Sequence, residues 1–142
     1  MKTVRQMLHG KPALISISLT ATVYDALDLM ARHDVGALVV VDQGGRLAGM
    51  FSERDYARKV ILQGKLSKEL AVSEIMTPRV VSVAPDDSVE ACMTLMTDKH
   101  VRHLPVMDGD TVVGLVSIGD VVKALLHEQQ FVINQLERYI TA

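Results

Sequence analysis

Two helical stripes and several short apolar runs alternate along the chain. Val23, Ala26, Leu27 and Met30 fall at i, i+3, i+4 and i+7, and so do Val89, Cys92, Met93 and Met96. That spacing predicts amphipathic helices with one face buried. Thr22-x-x-Asp25 and Asp87-x-x-Glu90 supply their starts. A short strand is expected before each helix, at Leu14–Ile17 and Val80–Val83. Two strands are expected after it, joined by the tight turns Asp42-Gln43-Gly44-Gly45 and Asp108-Gly109-Asp110. Turns this short require antiparallel pairs. A second helix then begins at Ser52 or Ser117, the first of these stopping near Gly64. The order β-α-β-β-α thus occurs twice.

The two copies also match residue by residue. At an offset of 66, Ile15-Ser16-Ile17 lies over Val81-Ser82-Val83, and Val35, Leu38, Val40 and Asp42 lie over Val101, Leu104, Val106 and Asp108. The turn loses one residue, so Gly49-Met50-Phe51-Ser52 lies over Gly114-Leu115-Val116-Ser117 at an offset of 65, with Asp55 over Asp120. Near the start, Val4-Arg5-Gln6-Met7 meets Val72-Ser73-Glu74-Ile75 at an offset of 68. An ordered series of this kind marks an internal duplication. The expected organisation is repeat one over 1–64, a linker over 65–71, repeat two over 72–126, and an amphipathic C-terminal helix over 127–142. Val132, Leu136 and Tyr139 share a face of that helix, with Ile133 and Ile140 nearby. Neither repeat has the apolar surface to fold alone, so the halves are expected to bury each other.

Composition narrows the functional classes. The 142 residues are 49% hydrophobic and 23% charged, a globular balance. A formal net charge of −2 gives no basic excess for nucleic acid or an anionic membrane. The absence of Trp argues against stacking platforms for single strands. The longest apolar run, Ala37 to Val41, is far short of a membrane span. No secretory signal is visible in the first twelve residues. A single cysteine, Cys92, excludes an internal disulfide and fits a reducing compartment, so a cytoplasmic location is expected. Five histidines lack metal-site spacing, so no metal is expected.

The candidate chemistry lies in Gly49-Met50-Phe51-Ser52-Glu53-Arg54-Asp55 and Gly114-Leu115-Val116-Ser117-Ile118-Gly119-Asp120. Each is a strand running into a helix start with Ser and Asp three apart. One reading is structural: the pair is a capping box, with an acid on the positive end of the helix. The other is functional: amides and a hydroxyl at the helix start meet a phosphate, and the Asp accepts from ribose hydroxyls. The two are compatible.

With those segments the chain resembles two CBS domains in tandem, a CBS pair or Bateman module of the stand-alone bacterial type. The resemblance rests on Val72-Ser73-Glu74-Ile75-Met76-Thr77-Pro78, on Leu104-Pro105-Val106, on both Gly-h-h-Ser-x-x-Asp segments (h apolar) and on FSERDYARKV at 51–60. It covers nearly nine-tenths of the chain. It implies an α+β fold of two βαββα repeats packed pseudo-symmetrically, with the C-terminal helix appended. It also implies a regulatory module and not an enzyme, binding an adenosine compound in two clefts between the repeats and forming a homodimer. The ligand would be AMP first, with ADP, ATP, NAD(H) or S-adenosylmethionine as alternatives.

Carried over, Asp55 and Asp120 would hold ribose, with Ser52 and Ser117 beside phosphate. Asp120 should face the segment Lys11–Ile15, and Asp55 the segment Thr77–Val81. Thr77 matches a family threonine that contacts adenosine; Lys11 stands where the other copy has it. Arg102 and His103 in one copy, and Arg54 in the other, would supply cations for phosphate. Ile15 and Val80 complete the nucleotide-binding set. With no attached catalytic domain, the protein is expected to act on a separate target. The alternative is a ligand-independent dimerisation or assembly module, with the Ser-x-x-Asp segments serving only as caps. An enzyme is not expected, because no general base or metal set has a recognisable spacing.

Overall fold

A computed structural model of the chain describes residues 2–141. Met1 and Ala142, the outer ends of the expected first and last segments, lie outside it. The element order is α1 (Val4–Leu8), β1 (Ser16–Ser18), α2 (Val23–His33), β2 (Ala37–Val41), β3 (Leu47–Ser52), α3 (Glu53–Tyr56), α4 (Val72–Ile75), α5 (Val89–Lys99), β4 (His103–Asp108), β5 (Thr111–Ser117) and α6 (Ile118–Thr141). A single π-helical turn, Ala57–Ile61, continues α3. Gly64 follows with φ near +69°, a left-handed stop that glycine adopts without a Cβ penalty.

The chain forms two compact units, and they do not coincide with the two sequence repeats. Among the described residues, one holds 2–12, 81–108 and 114–141; the other holds 13–80 with 109–113. The short leader of each repeat therefore belongs to the core of the other. In the first unit, α1 is pinned to the start of α5: the Val4 amide donates to the Asp87 carbonyl and the Val89 amide to the Lys2 carbonyl. In the second, α4 is pinned to the start of α2 by Val72 donating to the Ala21 carbonyl and Val23 to the Leu70 carbonyl. The apolar faces follow. Val4 and Met7 are buried with Val89, Cys92, Met96, Leu104 and Val116, while Val72 and Ile75 are buried with Val23, Met30, Leu38 and Phe51. Each unit thus has its own core. Cys92 is a core residue; burial, then the Asp87 charge, push its thiol up to about 11, away from thiolate chemistry.

The second unit contains a three-stranded sheet, with β1 parallel and β3 antiparallel to the central β2. A two-stranded sheet is formed by the hairpin β4–β5. The strand expected at Val80–Val83 is reduced to one parallel bridge, Val83 with Val106. Two prolines account for this. Val83 donates to the Pro105 carbonyl and accepts from the Met107 amide. The next bond one way needs an amide at Pro105 and the next the other way needs one at Pro85, and proline has none. In the other repeat Val39 occupies the place of Pro105, and the pairing runs Ser16 to Ser18.

The helix expected to begin at 127 is not separate. α6 runs unbroken from Ile118 to Thr141. Among the described residues, no helix is long and apolar enough to cross a membrane.

Candidate functional site

Each Ser-x-x-Asp segment is a reciprocal cap. The Asp55 amide donates to Ser52 Oγ at 3.2 Å, and the Ser52 amide donates to Asp55 Oδ2 at 3.0 Å. Asp120 and Ser117 repeat the pattern at 3.1 and 2.8 Å. The first helical amide is also taken, Glu53 donating to the Gly36 carbonyl and Ile118 to the Arg102 carbonyl. The structural reading of these segments is therefore realised in both copies. It also limits the functional one, because three of the amides at each helix start are already paired.

Both carboxylates go beyond capping, and in both the further contact comes from a leader segment of the same unit. The Lys11 ammonium lies 2.6 Å from Asp120 Oδ2 and also donates to the Leu115 carbonyl at 2.9 Å. In the other unit, Thr77 Oγ1 donates to Asp55 Oδ1 at 3.2 Å, and Lys59 Nζ lies 3.1 Å from the same oxygen. Lys59 also donates to the Ile75 carbonyl. Lys11 and Thr77, equivalent by the offset of 66, thus reach equivalent carboxylates, Lys11 at the oxygen that also caps the helix and Thr77 at the other oxygen.

The glycines of the two motifs make this approach possible. A Cβ at Gly49 would lie 2.5 Å from the Thr77 carbonyl oxygen, and one at Gly114 would lie 2.8 Å from the Leu8 side chain. Thr77 forms a two-way backbone bridge with Met50, at 3.0 and 2.8 Å. The leader and the Asp-bearing helix start are therefore held in register by backbone, not only by the side-chain contact.

Burial pushes the Asp120 carboxyl up. The Lys11 hydrogen bond, the Ser117 amide and the Lys11 charge outweigh that and hold it below the usual carboxylate range. A carboxyl held low stabilises the fold above its ordinary value and stops doing so as the pH falls through the lowered one. Lys11→Met should therefore cost stability at pH 7, by under about 1 kcal/mol for a pair this exposed. The gap to the wild type should shrink as the pH falls through the carboxylate range and be absent below the lowered value of Asp120. Urea unfolding at pH 7, 5 and 3 checks this, and a gap that does not change with pH would refute it.

The CBS domain profile matches the chain twice, over residues 4–62 and 72–127. The chain belongs to the CBS-domain family. It is 48% identical over 123 residues to the mitochondrial CBS domain-containing protein CBSX3 of Arabidopsis thaliana, covering 84% of this chain and 60% of that protein's length. A solved structure of a protein with CBS domains from Burkholderia ambifaria superposes with a TM-score of 0.85 at 48% identity, covering 90% of this chain and 96% of that one. The CBS domain pair of protein MJ0100, solved with 5-methylthioadenosine and S-adenosyl-L-methionine, superposes with a TM-score of 0.81 at 26% identity, covering 90% and 98%. The fold is accordingly two tandem CBS repeats with a C-terminal helix.

The other expected residues of the CBS site fall as follows. Arg102 lends its carbonyl to the start of α6, and its side chain is exposed. His103 is half-buried at the start of β4. Arg54 is exposed in the first turn of α3, one residue before Asp55. Val80 is half-buried, and Ile15 packs against the core that contains Phe51. Lys59, which was not among the expected site residues, joins them at Asp55. Its signal was the four-residue spacing from Asp55, an ordinary helical ion-pair distance. Among the described residues, no group of three or more His, Cys, Asp or Glu is placed to hold a metal.

Proposed function

We propose that this CBS pair is a regulatory module, not an enzyme, that binds an adenosyl compound through Asp55 and Asp120. One observation carries the reading: in each unit a carboxylate at a helix start faces a polar side chain from the leader of the other repeat. A carboxylate so placed can accept from both hydroxyls of a ribose, and nearby cations can meet a phosphate. Around Asp120 the cations are Lys11 and Arg102, with His103 as a further polar group, and Ser117 stands at the helix start. Around Asp55 they are Lys59 and Arg54, with Ser52 and Thr77 as hydroxyl donors. Ile15 and Val80 would give apolar contact. The adenosyl ligands of MJ0100 support the ligand class. AMP is the first candidate, with ADP, ATP, NAD(H) and S-adenosylmethionine behind it. The cytoplasm is the proposed location and a separate protein the regulated target. The ligand would act by favouring whichever conformation binds it more tightly.

A thermal-shift panel tests the reading, with AMP, ADP, ATP, NAD, NADH, S-adenosylmethionine and methylthioadenosine against guanosine controls. A ligand binding only the folded chain adds about 2.7 kcal/mol at a hundredfold excess over Kd, which is several degrees of Tm. At least one adenosyl compound should give that shift and the guanosine compounds should not. No shift with any, on protein shown by mass spectrometry to be free of bound nucleotide, would sink the proposal. A second reading, assembly without ligand, is favoured by a different feature, the exposed apolar side chains of α6.

A further inference from the structure

The two carboxylates of the proposed sites are filled to different extents. An ionised carboxyl has about four acceptor positions, two at each oxygen. At Asp55 all are taken. Oδ2 accepts from the Ser52 amide at 3.0 Å and the Ser52 hydroxyl at 3.1 Å, and Oδ1 meets the Thr77 hydroxyl at 3.2 Å and Lys59 Nζ at 3.1 Å. Asp120 keeps one oxygen open. Its Oδ2 accepts from the Ser117 amide at 2.8 Å and from Lys11 at 2.6 Å, and among the described residues no donor is hydrogen-bonded to Oδ1. Exposure runs the same way: the Asp55 side chain is 12% exposed and that of Asp120 is 27%.

The donors on Asp55 are not equally fixed. Ser52 belongs to the cap, and Thr77 is held by its backbone bridge to Met50. Lys59 is held least. Its side chain is 42% exposed, and its ammonium has a second anchor at the Ile75 carbonyl, 3.1 Å away. An ammonium carries three donors. Lys59 can therefore leave Oδ1 for another anion and keep the Ile75 carbonyl. A ribose hydroxyl alone does not offset the loss of that charged partner, because charge-assisted bonds are about twice as strong as neutral ones. A phosphate on the same ligand does, by taking the ammonium while the ribose takes the vacated oxygen. An uncharged adenosyl compound offers no such exchange. Asp120 requires none, since a ribose hydroxyl can use Oδ1 with Lys11 in place. The difference is written in the repeat: at the offset of 65, Lys59 lies over Ala124, a buried core residue with no charge to offer.

We propose that Lys59 is a specificity-determining residue that closes the Asp55 site to uncharged adenosyl compounds and admits phosphorylated ones, while the Asp120 site takes both. This rests on the adenosyl reading and assigns a ligand class to each site. Isothermal titration calorimetry of the full chain with methylthioadenosine and with AMP tests it. The wild type should bind one tight equivalent of methylthioadenosine, lost in Asp120→Asn and kept in Asp55→Asn, and two equivalents of AMP. Lys59→Met keeps the apolar stem and removes the charge. It should tighten methylthioadenosine at the second site at least about tenfold and weaken AMP there about tenfold. Lys59→Arg keeps a cation and should keep the wild-type pattern.

The opposite signs are what a structural tether would not produce, since losing the Ile75 contact alone would weaken both ligands. Changes in one direction for both ligands therefore overturn the proposal. So do two equal methylthioadenosine sites in the wild type, or a single AMP site, and in these cases adenosyl binding itself stands. No binding of either compound also overturns it, and the thermal-shift panel then decides the wider reading. Circular dichroism of each variant, with the first methylthioadenosine equivalent at Asp120, reports that the fold is intact.

Discussion

Gly49→Ala is expected to cost about 3 kcal/mol, the upper part of the usual overpacking range. The added methyl would meet the Thr77 carbonyl at 2.5 Å and the Met76 sulfur at 2.9 Å. A flexible side chain can step aside, but Thr77 cannot, because its backbone bridges Met50 in both directions. Relieving the clash means opening that bridge, and Thr77 then leaves Asp55. Gly114→Ala is the internal comparison. Its methyl would meet only the Leu8 side-chain terminus, and another rotamer there should hold the cost to about 1 kcal/mol. Urea denaturation of the two variants, followed by circular dichroism, checks the contrast. Equal costs would show that the leader backbone yields as readily as a leucine side chain. The variants should also differ in ligand binding: Gly49→Ala should impair only the Asp55 site, since Asp120 and Lys11 belong to the other unit.

That contrast shows why the glycine of each motif could be read in the sequence but not explained by it. Gly49 and Gly114 were visible as members of a repeated Gly-h-h-Ser-x-x-Asp. The leader that each accommodates was visible too, as the offset of 68. What pattern could not supply was the exchange of leaders, because an amphipathic turn such as Val4–Leu8 carries no address for the core it will enter. The starts of α2 and α3 were legible because Thr22 and Ser52 are caps of local geometry. The start of α5 lies at Ser88, one residue beyond the expected Asp87, where two residues able to cap stand in succession. Contacts from outside the helix decide between them. Asp87 accepts from the Ala84 amide and its carbonyl is taken by Val4, which leaves the Ser88 hydroxyl for the Ala91 amide. The missing strand before α5 follows from prolines at two particular rungs, which matter only once the pairing register is known. Lys59 escaped for a similar reason: a lysine side chain reaches far, and only the fold says what it reaches.

Asp55→Ala and Asp120→Ala should each weaken adenosyl-ligand binding about a hundredfold at one site, leaving the other unchanged. Charged hydrogen bonds contribute roughly 1.5–3 kcal/mol, and about 2.7 kcal/mol is a hundredfold in Kd. Both variants also lose half of a capping box, which should cost about 1 kcal/mol of stability, so weak binding alone does not prove contact with ligand. Two controls separate the roles. Asn at either position retains an oxygen for the Ser52 or Ser117 amide but no charge, so it should keep the cap and still lose most of the affinity. The untouched site in the same chain reports whether the fold survived.

Lys11→Thr then tests the asymmetry directly, since it gives Asp120 the partner that Asp55 already has. Removing the ammonium takes one of two donors from Asp120 Oδ2, which still accepts the Ser117 amide, and takes away a phosphate cation. Binding of methylthioadenosine at the Asp120 site should tighten severalfold, and binding of ATP there should weaken. If both ligands change in the same direction, Lys11 is only a structural tether, and the difference between the two sites lies in Arg102 and Arg54 instead.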